Sequence, residues 1–314
     1  MRSGPFPFSL RQAQYALAVL QHRNFHKAAA ACHVAQPSLS AQLHAMEEAL
    51  GVTLFDRSRR QVTPTRAGEE VLLQLSRLLG SAEEVMAASA RRADPLAGAL
   101  TLGVIPTIAP YLLPEVTPRL KKAFPKLTLQ WLEEKTGTLV SMLESGEVDG
   151  ALLALEAALG DVDHHVVGKD PFVLAGAAGH PLFQSRSALR ADALEQEEVL
   201  LLADGHCFGS QAWSFCQRVG ALASGFHATS LATLAQMAAS GGGVTLLPRL
   251  AVPAENRRGS LQLRSLAAPV PSRTLVVIWR RGSPLETSVK PVGEALEEAY
   301  AALVPRLEAA ALKH

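Results

Sequence analysis

Between Ser9 and Leu20 the apolar residues Leu10, Ala13, Tyr15, Leu17 and Leu20 recur at a helical spacing, which predicts a first helix with Ser9 as its N-cap. An alanine-rich stretch from about Phe25 to Cys32 predicts a second helix. A short turn at 33–35 leads to a third, from about Gln36 to Leu50, with Pro37 in its first turn and Gly51 placed to stop it. Val52 to Phe55 and Gln61 to Thr63 read as two short strands around a basic hairpin of Asp56, Arg57, Ser58, Arg59 and Arg60. Residues 1–66 therefore read as a winged helix-turn-helix. From Thr65 to roughly Arg91, Val71, Leu72, Leu75, Leu78, Leu79 and Val85 form one apolar stripe on a long helix, an arrangement suited to pairing two copies of the chain. The run from Ala93 to Gly98 breaks that helix, so 67–97 is taken as a dimerisation helix with its hinge.

Beyond Gly98 the pattern changes to strands alternating with helices. Strands are expected at Leu100–Ile105, Leu127–Leu132, Gly150–Leu155, Phe172–Ala175, Val199–Leu202 and Val244–Leu247, which makes 98–314 an α/β regulatory domain. In such sheets ligands bind at the carboxyl ends of strands, where helix N-termini present free N–H groups. Four polar segments hold that position: Pro106-Thr107, Lys135-Thr136, Gly205-His206-Cys207 and Thr229-Ser230.

Composition narrows the class. The chain has 314 residues, enough for two or three domains, and its 48% hydrophobic content is that of a globular protein. No apolar run approaches the roughly 18–20 residues of a membrane span, and no secretory leader is recognisable, so the expected location is the cytoplasm, with no membrane partner. Net charge is only +1, yet the first 66 residues are distinctly basic, a local field that suits a phosphate backbone. Gln36, Pro37, Ser38, Ser40, Gln42 and His44, on the third helix, are candidates for contacts to double-stranded DNA, and Arg57, Arg59 and Arg60 for a wing approaching backbone or minor groove. An ordinary solvated helix face and a charged turn are the plainer alternatives.

Three cysteines are too few for a disulfide scaffold, so their individual settings carry the information. Cys32, in the alanine-rich helix, reads as a core residue. Cys207 and Cys216 lie nine residues apart, with the stretch from Ser210 to Arg218 reading as helix. A continuous helix rises about 1.5 Å per residue and would hold the two sulfurs about 12–14 Å apart. A disulfide needs Cα atoms about 4.4–6.8 Å apart. If these thiols bond, the helix between them must unwind. Cys207 is placed just ahead of that helix and beside His206, a setting that favours a thiolate. Two buried small hydrophobes are the competing reading. Asp161, Asp163, His164 and His165 resemble a metal cluster but lack a register of cysteine or paired histidine ligands, so they are read as a surface loop; neither metal nor cofactor is expected. Gly241 to Gly243 lacks the ending of a phosphate loop and reads as a turn.

Residues Phe25 to Leu50 resemble the DNA-binding region of LysR-type transcriptional regulators, and the resemblance extends over the whole chain. Gly103 to Thr107, Tyr111 to Pro114, Gly205 to Cys207, Gln211-Ala212, Phe215-Cys216, Ala228 to Leu231 and Thr245 to Pro248 are similar to the peroxide-sensing OxyR subfamily. The resemblance implies a regulatory region of two subdomains like a periplasmic binding protein, I comprising 98–170 plus 274–304 and II comprising 171–273. It further implies a homo-tetramer built as a dimer of dimers, and a transcriptional activator partnered by promoter DNA, RNA polymerase, hydrogen peroxide and a thiol reductant such as glutaredoxin or thioredoxin. In its terms Cys207 reacts with peroxide, Cys216 resolves the product as a disulfide, and Thr107, Thr136, Gly205, His206 and Ser210 line the peroxide site. Gly209 and Ser210 stand where that pattern carries arginine and aspartate, and His227 where arginine is common. Gly209 is expected to loosen the switching loop, and Ser210 to hydrogen-bond peroxide without serving as an acid. Two other functions fit the same residues: a LysR-type regulator sensing a metabolite through Thr107, Thr136, Thr229 and Ser230 with the cysteines incidental, and a thiol peroxidase.

Overall fold

The computed structural model describes residues 6–56, 61–91, 94–155, 159–185, 187–203 and 207–311. They form two compact units, one dominated by residues up to 90 and the other by residues from 91 onward.

The first unit is a winged helix-turn-helix. Helix α1 (Leu10–His22) starts at Ser9, whose side chain accepts from the Gln12 amide while Gln12 reaches back to the Ser9 amide, a complete capping box. Helices α2 (Phe25–Ala31) and α3 (Gln36–Leu50) follow, and α3 ends at Gly51, whose φ of 68° suits glycine. Ala13, Ala16, Val19, Leu39, Leu43 and Met46 are fully buried between these helices. The wing strands β1 (Phe55–Asp56) and β2 (Thr63–Pro64) begin later in the chain than the alternation predicted. The reason is Glu47: its buried carboxylate accepts from the Leu54 amide at 2.7 Å and the Phe55 amide at 3.4 Å, so 52–54 is tied to α3. Helix α4 (Arg66–Arg91) starts against the wing, where a side chain on Gly68 would overlap the Leu54 carbonyl. Of its apolar stripe, Leu72 and Leu75 are buried in this unit's core, whereas Leu78 and Val85 are exposed.

The second unit is a two-lobed α/β structure. Its first lobe contains β3 (Gly98–Val104), α5 (Ala109–Ala123), β4 (Leu127–Glu133), α6 (Thr136–Ser145), β5 (Gly150–Ala154) and the first part of β6 (Val162–Gly176). The second contains the remainder of β6, β7 (Glu198–Leu202), α7 (Cys207–Arg218), β8 (Leu222–Ala228), α8 (Leu231–Ala239), β9 (Val244–Pro248), the short α9 (Val252–Glu255) and β10 (Gln262–Ser265). The chain returns through β11 (Ser272–Arg280) and ends in α10 (Glu286–Ala311). The strand order is β4-β3-β5-β11-β6-β9-β7-β8, with β10 also on β6. Within each lobe the strands β3, β4 and β5, or β7, β8 and β9, run parallel, and β6 and β11 cross between the lobes as an antiparallel pair. Every residue of β5 is buried, as a parallel strand covered on both faces requires.

Three readings are corrected. The acidic and histidine residues taken for a surface loop open β6, where Asp161 and Asp163 pair with Arg281, and His165 with Glu297 at 2.7 Å. Among the described residues no group of three or more potential ligands is placed to hold a metal ion. Helix α7 starts at Cys207, three residues before the expected Ser210. Gly209 is not a loosened loop but a buried helical position, and a Cβ there would lie 2.9 Å from the Leu202 carbonyl oxygen. The absent side chain lets α7 press onto β7, and that packing overrides the low helix propensity of glycine.

Candidate redox site and DNA-reading helix

Helices α5, α6 and α7 all begin at carboxyl ends of parallel strands, and Thr107 there meets Arg273 on a strand that crosses between the lobes. Thr107, just before α5, is only 3% exposed. Its hydroxyl oxygen accepts from Arg273 Nη1 at 2.7 Å and its carbonyl from Nη2 at 2.9 Å. Arg273 is in turn bonded to Asp170, with Nε to Oδ2 at 3.0 Å and both side chains wholly buried. Burial pushes the Asp170 carboxyl upward, against the pull of Arg273 and the Leu250 amide. Thr136 is the first residue of α6, and its Oγ1 is buried without a hydrogen-bond partner in the protein. Gln211 Oε1, one turn into α7, is in the same condition. Two unsatisfied buried oxygens are costly unless a polar molecule visits them.

Cys207 occupies the first position of α7 and is 6% exposed; its side chain belongs to the apolar core of the first lobe, along with Ile105, Ile108 and Leu250. Phe208 instead enters the core of the second lobe, packs edge-on against Phe172 at 5.1 Å and faces the Arg273 guanidinium at 5.5 Å. Cys216 is fully buried in that second core, and burial pushes its thiol up to about 11. The two cysteines therefore sit in different cores, separated by an unbroken helical rise of about 13–14 Å, and form no disulfide. Ser210 lies on the exposed side of α7 and lines a cleft of about 480 Å³ with Gln211, Ser214, Arg218, Ser272 and Arg273. Gly205 and His206 lie outside the described residues.

Sequence reasoning assigned no role to Asp170 or Arg273, because a charged pair in neighbouring strands reads as surface until the strands are seen to cross. It quoted Gln211 only within the resemblance; its i+4 relation to Cys207 was the available signal.

In the DNA-binding unit, Gln36, Pro37, Ser38, Gln42 and His44 are exposed on α3 and Ser40 partly so, while Leu39, Leu43 and Met46 are buried. His44 lies 3.4 Å from Glu48 on the outer face. The wing residues Arg57, Arg59 and Arg60 lie outside the described residues.

A winged helix-turn-helix joined to a two-lobed α/β unit defines a DNA-binding regulator with a sensing domain. The family model for the bacterial regulatory helix-turn-helix protein, lysR family, matches residues 10–69, and that for the LysR substrate binding domain matches 93–301. The chain belongs to the LysR family of transcriptional regulators, within its OxyR branch. The DNA-binding transcriptional dual regulator OxyR of Escherichia coli K12 is 38% identical over 289 residues, covering 92% of this chain and 94% of the relative. A full-length cysteine variant of Pseudomonas aeruginosa OxyR is similar over 93% of this chain and 94% of its own, with 32% identity and a TM-score of 0.75. A cysteine-to-serine variant of Corynebacterium glutamicum OxyR with hydrogen peroxide bound is similar over 98% of each chain, with 31% identity and a TM-score of 0.65. The family is one of regulators, not of enzymes. Among the described residues no helix is long and apolar enough to cross a membrane.

Proposed function

We propose that the chain is a hydrogen peroxide-responsive activator of transcription, switched by oxidation of Cys207 and a disulfide to Cys216. The supporting observation is the placement of the two thiols in different cores at either end of α7. Cys207 Sγ, at a helix N-terminus where partial positive charge acts, attacks one peroxide oxygen; the O–O bond breaks and the other oxygen leaves as hydroxide, which is protonated to water. Cys216 sulfur then attacks the Cys207 sulfenic sulfur; the S–O bond breaks, the hydroxyl leaves as a second water with the Cys216 thiol proton, and the S–S bond forms. Thr107, Thr136 and Ser210, together with Gln211, are the groups for peroxide to meet, with Gly205 and His206 as further candidates that precede Cys207 in the chain. Closing the disulfide must unwind α7, because no helix brings positions nine apart within bonding distance. A dithiol such as reduced glutaredoxin or thioredoxin resets the switch.

On the same reading α3, through Gln36, Pro37, Ser38, Ser40, Gln42 and His44, enters the major groove of promoter DNA, and Arg57, Arg59 and Arg60 follow the backbone. The exposed Leu78 and Val85 of α4 support pairing of chains, and a cytoplasmic homo-tetramer in contact with RNA polymerase is the expected working form. A second reading draws on the size of the cleft beside α7: at about 480 Å³ it admits a molecule much larger than peroxide, such as a small polar metabolite.

The test is peptide mapping of reduced protein after brief exposure to stoichiometric hydrogen peroxide, followed by operator binding in both states. A Cys207–Cys216 linkage that changes operator binding is the expected result. Persistence of the Cys207 thiol sinks the peroxide reading and leaves the metabolite reading in front.

A further inference from the structure

Asp170 and Arg273 are direct partners in the antiparallel pairing of β6 and β11, where both strands pass between the lobes. Asp170 Oδ2 accepts from Arg273 Nε at 3.0 Å and lies 2.9 Å from Nη2 as an ion-pair contact, and Oδ1 accepts from the Leu250 amide at 2.9 Å. The carboxylate is thus held from two directions, and the guanidinium passes that constraint on to both oxygens of Thr107.

Each hydrogen in this chain has a direction. A guanidinium carries five N–H donors, of which hydrogen bonds to Asp170 and Thr107 engage three, one on each nitrogen. A threonine hydroxyl has one proton and two acceptor sites. Once Arg273 Nη1 fills one acceptor site on Thr107 Oγ1, the hydroxyl proton is turned away from the guanidinium and held as a donor. Arg273 also lines the cleft beside α7, whose described lining residues include no carboxyl group, and oriented N–H and O–H donors are the groups that stabilise charge developing on an oxygen. A buried ion pair is not in itself a stability device, since an apolar pair of similar volume often serves as well. Orientation of donors gives this one a use.

We propose that Asp170 is a positioning residue for the peroxide reaction, fixing Arg273 so that the Thr107 hydroxyl is presented as a hydrogen-bond donor to the oxygen displaced from peroxide. It rests on the peroxide reading above. Asp170 itself touches no reacting atom. Cys207 forms the S–O bond as the O–O bond breaks; the departing hydroxide takes its proton from solvent, and Thr107 gives it a hydrogen bond but no proton.

The experiment uses the full-length reduced chain and its Asp170→Asn variant, with the rate of Cys207 loss followed from pH 5 to 9 under two reagents. Hydrogen peroxide needs both the thiolate and the oriented donors; iodoacetamide needs the thiolate alone. The variant is expected to react with peroxide about tenfold or more slowly at every pH, while its alkylation stays within about threefold of wild type. Asp170→Glu, which keeps the charge, is expected to recover most of the peroxide rate. If Asp170→Asn does not fold, the Asp170→Leu/Arg273→Met pair, which leaves neither charge alone in the interior, is expected to show the same split. An unchanged peroxide rate, or an equal fall with both reagents, overturns the proposal while leaving the peroxide reading in place. A wild-type Cys207 inert to peroxide overturns both.

Discussion

Helices α5 and α7 begin in equivalent ways, each at the carboxyl end of a parallel strand, yet they are anchored by opposite means. The start of α5 is fixed by polar bonds: Thr107 is held through both its oxygens by Arg273, which Asp170 holds in turn. The start of α7 is held mainly by apolar burial, with Cys207 in one lobe's core and Phe208 in the other's. Directional bonds fix an angle, whereas burial of apolar surface is non-directional and can be surrendered and regained in another conformation. On the proposed reading the site presents donors on one side and releases a helix on the other, and it gains from this division.

The comparison is most strongly challenged on the fixed side. Arg273→Met leaves the Asp170 carboxylate buried without its partner and should lower stability by about 3–5 kcal/mol; denaturant unfolding of the reduced protein measures it, and a loss below 1 kcal/mol would mean that the pair fixes little. Next comes Cys216. Its folded pKa of about 11 lies above the unfolded value, so the folded state retains the proton longer. The associated stability is fully present below about pH 8.5 and is lost as pH rises through 11, to a total on the order of 3 kcal/mol. Unfolding measured at pH 8 and pH 11 should show a smaller alkaline loss in Cys216→Ala than in wild type.

On the side that must move, Phe208→Leu removes the ring contacts with Phe172 and Arg273 and should cost the reduced state about 1.5 kcal/mol. An oxidised form with α7 unwound does not bear that cost, so a dithiothreitol redox titration should shift about tenfold toward the disulfide. No shift would show that Phe208 remains packed after oxidation. The smallest effect is expected at Ser230, whose side chain caps α8 by accepting from the Thr233 amide. Ser230→Ala should cost about 1 kcal/mol and leave the redox titration unchanged, since that helix start belongs to neither anchor.

Much of this architecture was legible in the chain. Ser9, Pro37 and Gly51 are local signals, and they delimit α1 and α3 because capping and turn chemistry act within a few residues. Elements defined by partners were harder to read. Strand β8 contains Ser224 and Gly225 and has little intrinsic preference for extension; it exists because β7 pairs with it. Pro171 interrupts β6, so the pattern predicts a strand only after it, whereas the element starts at Val162. Helix α10 contains Pro291 and Pro305, which disguise a 26-residue element. The helical separation of Cys207 and Cys216 follows from their spacing alone. The division of the two thiols between two cores does not, because it depends on how β6 and β11 cross.

The seam between the wing and the helices beside it has a bearing on how such a molecule chooses its sites. Glu47 ties the wing base to α3, the Thr65 hydroxyl donates to the Thr53 carbonyl at 2.6 Å while accepting from the Gly68 amide, and Gly68 leaves no gap above Leu54. A reading head fastened in this way moves as one casting. A twist applied along α4 would turn the wing base and the reading helix together and leave their mutual arrangement unchanged.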